Sequence, residues 1–512
     1  MGSVLLTILL FMLQSASSIE GVVVRSGTST PVAGARVSIG LATVVADDSG
    51  RFTFANVMPG RYRVSANHVD YVPGQSVDVS IRSGDTMKGI VLGMIPKGSI
   101  SGRVYNKNGD VVAGANVQPL KYAYQDGRRI LLTIATAKAS GQTNELGEYT
   151  LPGLAPGPYI IKADVPQSSS ASRETLLPVY FPNTTNASMA SVVDLPPGVN
   201  FNGVDLRMND ARAVRVSGQV KDGTTGAPAL SAAVTLVPRR GTVATGSLKR
   251  TQTGEMGSFE FLNMAPGSYD VVTTSAGRLA ASISIEIGSD DIENVNLVLQ
   301  PQLSIKGKVS LENQQNEQGN INLSGIRVEL RREPYIPELL ILLPNVSADG
   351  VFTFDGVTPG EYGLKVSVSG GRTKAYIKSA RFGAIDALNP PFHIDGPGEF
   401  DVILSPNAGW IDAIVTNNEG KVSSDATIVV VPDPPRRQRF DMYYVAGSDP
   451  NGRLHLDGIA PGDYKVFAWD DVPGDAWQDA DFMRAYEDRG KPVHISEGGS
   501  ANVDLRLIPR LQ

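Results

Sequence analysis

The chain contains no cysteine. Disulfides, cysteine-ligated zinc, a thiol nucleophile and a lipid-modified cysteine anchor are therefore excluded, and any domains must be held together by burial alone. Histidine is nearly as scarce, with four residues in 512. A basic excess is also missing. Lys and Arg total 46 against 52 Asp and Glu, a net charge of −6, whereas a phosphate-binding surface needs clustered positive charge, so no nucleic-acid partner is expected. No Gly-x-Ser-x-Gly elbow, phosphate-binding loop or Ser-x-x-Lys occurs, so no catalytic, cofactor-binding or metal-binding residue is assigned and no cofactor is expected. Long apolar runs are absent too. The longest, Val4 to Leu13, is interrupted only by Thr7 and is too short for the roughly 20 residues that span a bilayer. It reads instead as the core of a signal peptide over residues 1–18, with Ala16 and Ser18 at the cleavage site and Ile19 as the mature start. The expected location is secreted, extracellular or periplasmic, with no membrane span in the mature chain.

What the chain has in quantity is turns and repeats. Gly (54) and Pro (33) are abundant, and apolar residues make up 41%, a globular composition in a chain too long for a single core. A signature of Gly-x-Phe-x-Phe type begins at Gly50, Gly147, Gly257, Gly350 and Gly452, and nine residues after each Gly comes Pro-Gly-x-Tyr. The aromatic alternation puts both rings on one face of a strand, and Pro-Gly suits the centre of a type II turn. The tyrosines Tyr62, Tyr159, Tyr269, Tyr362 and Tyr464 are expected to bond backbone with their hydroxyls, because five identical placements point to architecture. Two signatures precede these. One is Ile-x-Gly-x-Val at Ile19, Ile100 and Ile305, with Val216 opening the third copy, and with Ala413 in the Gly position of the fifth. The other is Gly-Ala-x-Val at Gly34 and Gly114, looser in later copies. Alternating strands such as Val503 to Leu507 close each repeat. About seven short strands per repeat give an all-β chain, a tandem array of five seven-stranded, antiparallel Greek-key β-sandwiches. The expected boundaries are 19–95, 96–211, 212–302, 303–406 and 407–512. Insertions are expected at 166–198, as an exposed loop, and at 470–490.

The order of these four signatures resembles the carboxypeptidase regulatory-like domain, five times over and across nearly the whole chain. The fifth copy departs most, with Leu454 and Leu456 in place of the aromatics. The resemblance implies a prealbumin-like, carbohydrate-binding-like fold. It also implies a non-catalytic role, since such domains accompany metallocarboxypeptidases, outer-membrane receptors and bacterial surface proteins. Fold alone does not specify an activity.

Few residues invite a chemical role. His494-Ile495-Ser496-Glu497 matches a short zinc pattern, but Val493 and Ile495 read as strand core. Turns such as Asp47-Asp48-Ser49-Gly50 and Asp449-Pro450-Asn451-Gly452 read as hairpin connections in preference to calcium loops. The fifth copy stands apart. From residue 407 onward there are 17 acidic and 11 basic residues, so this segment carries the entire net charge of −6, and the remainder has 35 of each. All three tryptophans, Trp410, Trp469 and Trp477, lie here, and residues 470–488 hold seven acids and one base, with a short helix expected at 479–488. Trp469, Asp470, Asp471 and Trp477 form a candidate ligand surface, since rings stack on sugar faces and carboxylates accept hydroxyl hydrogen bonds. The competing expectation is an end cap with Trp477, Phe482 and Tyr486 packed inward. The function expected is a secreted, monomeric carbohydrate-binding, adhesion or spacer protein, with a polysaccharide or a cell-surface protein as partner. The alternative is an accessory subunit of an extracellular hydrolase or an outer-membrane transport system.

Overall fold

A computed structural model describes residues 17–74, 76–125, 127–134, 141–165, 174–212, 214–238, 248–264, 267–275, 278–312, 323–333, 341–368, 375–389 and 391–509. They fall into two compact units, one within residues 1–121 and 133–211, the other within 122–132 and 212–512. Residues 1–16 of the expected leader lie outside the described residues. Ser17 and Ser18 already belong to a strand, and the buried Ser17 hydroxyl donates to the Arg82 carbonyl and accepts from the Gly84 N–H, both at 3.0 Å. The boundary expected after Ser18 thus falls inside a paired strand.

The chain is nearly all β, and the Ile-x-Gly-x-Val segments organise it. They become the strands Ser17–Arg25, Gly98–Tyr105, Val214–Asp222, Leu303–Leu311 and Gly409–Thr416. On one side each pairs antiparallel with a signature strand: Arg51–Val57, Glu148–Leu154, Ser258–Met264, Val351–Val357 and Arg453–Ile459. On the other side each pairs parallel with a closing strand: Thr86–Pro96, Leu206–Arg207, Ile292–Leu299, Glu399–Ser405 and Ser500–Ile508. This corrects the antiparallel expectation. The chain crosses to the second sheet between opening and closing strands and returns from the same end, so the two run side by side. In the second sheet the Gly-Ala-x-Val strands pair antiparallel with the strands that begin at each Pro-Gly-x-Tyr glycine. Residues 19–94, 100–208, 214–297, 305–404 and 411–505 each enclose a separate apolar cluster between the two sheets.

The register explains why the signatures occur together. Gly21, Gly102, Gly218 and Gly307 lie directly opposite Phe52, Tyr149, Phe259 and Phe352. A Cβ on Gly21 or Gly307 would sit 2.6 or 2.2 Å from the ring Cζ of Phe52 or Phe352. At Gly307 the missing Cβ admits the ring, at Gly21 and Gly218 it admits both the ring and a backbone carbonyl (Ile90 O at 2.4 Å, Val295 O at 2.0 Å), and at Gly102 it admits the backbone of Val204, whose O would lie at 2.0 Å. In the fifth copy Ala413 faces Leu454, so the two departures from the pattern compensate each other.

The Asx-led turns are built as the sequence suggests, but the described Pro-Gly steps are bends rather than type II turns, with φ of 121–153° at Gly157, Gly267 and Gly360 and no positive φ at Gly60 or Gly462. Asp47, Asn106, Asn144, Asn417 and Asp449 each accept, through Oδ1, the N–H groups two and four residues ahead at 2.7–3.0 Å. Tyr62, Tyr159, Tyr362 and Tyr464 donate to the carbonyl four residues earlier at 2.7–2.8 Å. Two further devices recur. The pairing of each signature strand with its opening strand shifts by an irregularity, and Asn56, Gly153, Gly356 and Gly458 adopt φ of 57–85° there. These are β-bulges on strands at the sheet edges among the described residues, where bulges discourage edge-to-edge association. In addition, the buried hydroxyls of Thr143, Thr253 and Ser448 accept from the Ala115, Ala232 and Ala426 N–H at 2.9 Å and donate to the Val112, Ala229 and Ser423 carbonyls at 2.6–3.2 Å.

The stretch expected as an exposed loop at 166–198 is partly sheet. Residues 166–173 lie outside the described residues, but Val179–Tyr180 and Val193–Leu195 pair with Gly157–Asp164, and Val179, Val193 and Leu195 are buried. Asn183 Oδ1 accepts the Arg207 N–H at 2.8 Å.

Candidate functional site

The residues singled out by sequence cluster at the end of Gly462–Trp469 and in the segment after it. That strand runs far enough for Ala468 and Trp469 to pair in parallel with Leu507 and Ile508, which joins the two sheets of this copy. The chain then forms the 3-10 turn Ala476–Gln478, the helix Ala480–Arg484 capped by Asp479 accepting the Phe482 N–H at 2.7 Å, and the 3-10 turn Glu487–Arg489. The helix is shorter than expected, ending at Arg484.

This segment encloses a second small core. Trp469 is 1% and Trp477 7% exposed, and they pack with Val429, Val431, Phe467, Met483, Tyr486 and Ile508. Phe467 stacks on Trp469 at 5.0 Å between ring centroids with a 17° interplanar angle, and Tyr486 meets Trp469 edge-on at 5.8 Å. The exposed indole faces expected at Trp469 and Trp477 are therefore not present. The rings are interior because the insertion folds down over them. Tyr486 is buried with them and Phe482 partly buried, and the Tyr124 ring packs edge-on against Phe482 at 5.5 Å. Asp470 and Asp471 remain exposed.

Ion pairs fasten the lid. Glu487 receives two bonds from Arg437 Nη2, at 2.7 and 2.9 Å, and one from Lys465 Nζ at 3.0 Å. Burial pulls the Glu487 carboxyl upward, but the bonds from Arg437 and Lys465 outweigh it and hold the group below the usual carboxylate range. Arg439 forms a buried two-bond pair with Asp441, at 3.1 and 2.6 Å.

His494 and Glu497 do not converge. His494 Nδ1 lies 2.7 Å from Asp463 Oδ1, whereas Glu497 accepts from Ser405 Oγ at 3.5 Å and Asn407 Nδ2 at 3.4 Å. Among the described residues no group of three or more His, Asp or Glu is placed to hold a metal ion. The strand pairing does bring together a set that sequence alone did not. Asp412, Asp449, Arg453, His455, Asn502 and Asp504 line an open groove on the outer face of the sheet. His455 Nδ1 is 2.7 Å from Asp412 Oδ1 and its Nε2 is 3.3 Å from Asp457 Oδ1. Both nitrogens can donate only in the imidazolium, and the Asp412 hydrogen bond, aided by Asp457 against slight desolvation, raises the His455 pKa. The signal was present as period-2 alternation, but the partner strands had first to be placed.

With the repeated geometry established, comparison with known proteins becomes informative. The profile of the carboxypeptidase regulatory-like domain matches residues 18–91, 99–190 and 215–300. These three segments belong to the carboxypeptidase regulatory-like domain family. No match was found among the curated proteins. Solved structures similar to this chain include a streptococcal ancillary pilin (11% identity, 56% of this chain and 100% of that one, TM-score 0.23). Others are the TIE protein of Bacillus anthracis (13%, 77% and 69%, TM-score 0.16) and a minor pilin of Streptococcus agalactiae (10%, 38% and 95%, TM-score 0.23). No helix of the described residues is long and apolar enough to cross a membrane.

Proposed function

We propose that the chain is an exported, non-catalytic adhesion or spacer protein. It consists of five regulatory-like sandwich modules, at residues 19–95, 96–211, 212–302, 303–406 and 407–512, and acts as a monomer on a polysaccharide or a cell-surface protein. The observation that supports this most is that the recurring residues serve the sandwich itself. The glycines admit a facing ring or the neighbouring backbone, the tyrosines bond carbonyls and the Asx side chains cap turns. With Trp469 and Trp477 interior, ligand contact in the fifth module falls to the exposed carboxylates Asp470 and Asp471. A glycan array probed with the full chain and with the D470N/D471N variant tests this. Binding that is lost in the variant supports the site, and binding retained moves the contact elsewhere. Silence on every glycan removes carbohydrate and leaves the spacer role. Stoichiometric co-purification with a hydrolase or transporter from the native host would replace this function with that of an accessory subunit.

A further inference from the structure

We propose that Asn202 is a site of spontaneous deamidation and that Ser101 promotes it. The chain has three Asn-Gly steps, at Asn108, Asn202 and Asn451. Deamidation begins when the nitrogen of the following residue attacks the Asn Cγ, and glycine permits the approach because it carries no side chain. Two of the three steps are restrained. The Gly109 N–H is bonded to the Asn106 carbonyl at 3.1 Å. The Gly452 N–H is bonded to the Asp449 carbonyl at 2.8 Å, and Gly452 is buried. The third is open. Asn202 and Gly203 are both exposed and lie outside any strand, and the Gly203 N–H makes no hydrogen bond to the described residues.

The carboxamide at Asn202 is also polarised. Ser101 Oγ donates to Asn202 Oδ1 at 2.5 Å, one of a ladder of contacts with Ser99 to Asn200 and the Arg103 N–H to Asp205. A donor on that oxygen stabilises the negative charge that develops as Gly203 N adds to Cγ. In the step itself the Gly203 N–Cγ bond forms and the Cγ–Nδ2 bond breaks. The Gly203 proton leaves with the departing nitrogen as ammonia. Water then opens the succinimide to aspartate or isoaspartate, with no change of oxidation state. Isoaspartate adds a methylene to the backbone between the Phe201–Ile100 pairing and the bond from the Val204 N–H to the Ser101 carbonyl. The new carboxylate also stands three residues from Asp205. The modified chain is therefore expected to loosen against Gly98–Tyr105.

The test is incubation of the full chain in mildly alkaline buffer, followed by peptide mapping by mass spectrometry with isoaspartate detection. Conversion at Asn202 should run about five-fold ahead of Asn108, the factor set by one hydrogen bond that must be broken at Gly109. Ser101→Ala should slow it by a similar, about five-fold, factor, and Asn202→Gln should abolish it while leaving Asn108 unchanged. Equal or faster conversion at Asn108 or Asn451, or no conversion at Asn202, overturns the proposal. An unchanged rate in Ser101→Ala overturns the role of Ser101. Far-ultraviolet circular dichroism of both variants separates an altered rate from a failure to fold.

Discussion

At Gly307 the nearest atom to an added Cβ would be the Phe352 ring at 2.2 Å. The ring is 2% exposed and lies in T-shaped contact with Phe354, so it has no room to withdraw. Gly307→Ala should destabilise its module by about 1–3 kcal/mol, the usual range for overpacking. The fifth module shows how the pair can be satisfied differently, with Ala413 against Leu454. Phe352→Leu introduced into Gly307→Ala should therefore recover part of the loss, a coupling that a double-mutant cycle in urea would measure. Additive effects would show that the ring and the glycine are independent. A second residue-scale expectation concerns Thr143. Its hydroxyl bridges the Ala115 N–H and the Val112 carbonyl in a buried position. Thr143→Val keeps the shape but leaves both backbone groups unpaired, at a cost of about 1–3 kcal/mol. A shift in the denaturation midpoint too small to resolve would mean that water replaces the hydroxyl.

At the scale of the element, Arg453–Ile459 is, among the described residues, an edge strand paired with Gly409–Thr416, and His455 couples it electrostatically to that neighbour. The Asp412 hydrogen bond raises the folded-state pKa of His455 above 6.5. The associated stabilisation is complete below the unfolded value and is lost as pH rises through the folded one. Because His455 is 57% exposed, the effect should be modest and screened by salt. An NMR titration should place the His455 midpoint above 6.5, and Asp412→Asn should lower it. A midpoint unmoved by Asp412→Asn would show that the pair is incidental. Glu487 has the opposite sign. Its folded pKa is held below the ordinary 4.5, so its contribution is present above that value and disappears as pH falls through the lowered one.

At the scale of the whole molecule, the tryptophans offer a selective probe. All three lie in residues 407–512, so indole fluorescence reports on one module in a chain of 512 residues. Glu487→Gln weakens the bonds from Arg437 and Lys465 that fasten the lid over Trp469 and Trp477. It should destabilise the fluorescence transition by about 1–3 kcal/mol and leave the circular-dichroism signal of the remaining sandwiches unchanged. Equal displacement of both signals would mean that the modules unfold as one body.

The repeat was legible in the sequence because its elements are short-range. Gly-x-Phe-x-Phe, Pro-Gly-x-Tyr and the Asx-led turns state their own conformation within ten residues, and alternation marks the buried face of each strand. The same pattern persists in residues 407–512 with Leu454 and Leu456 in place of the aromatics. The candidate site was less legible. Whether Trp469 and Trp477 face solvent depends on the path of residues 470–490 and on Arg437 meeting Glu487, 50 positions away. The groove around His455 depends on which strands lie beside Gly409–Thr416. Sequence alone determined the all-β architecture, the period of the repeat and the location of its acidic end. Tertiary structure alone decided the parallel opening and closing strands, the close approach of ring or backbone at the opening-strand glycines Gly21, Gly102, Gly218 and Gly307, and the burial of the indoles. Local propensity sets a strand's conformation and the face it buries, but its neighbours follow from contacts between residues far apart in the chain.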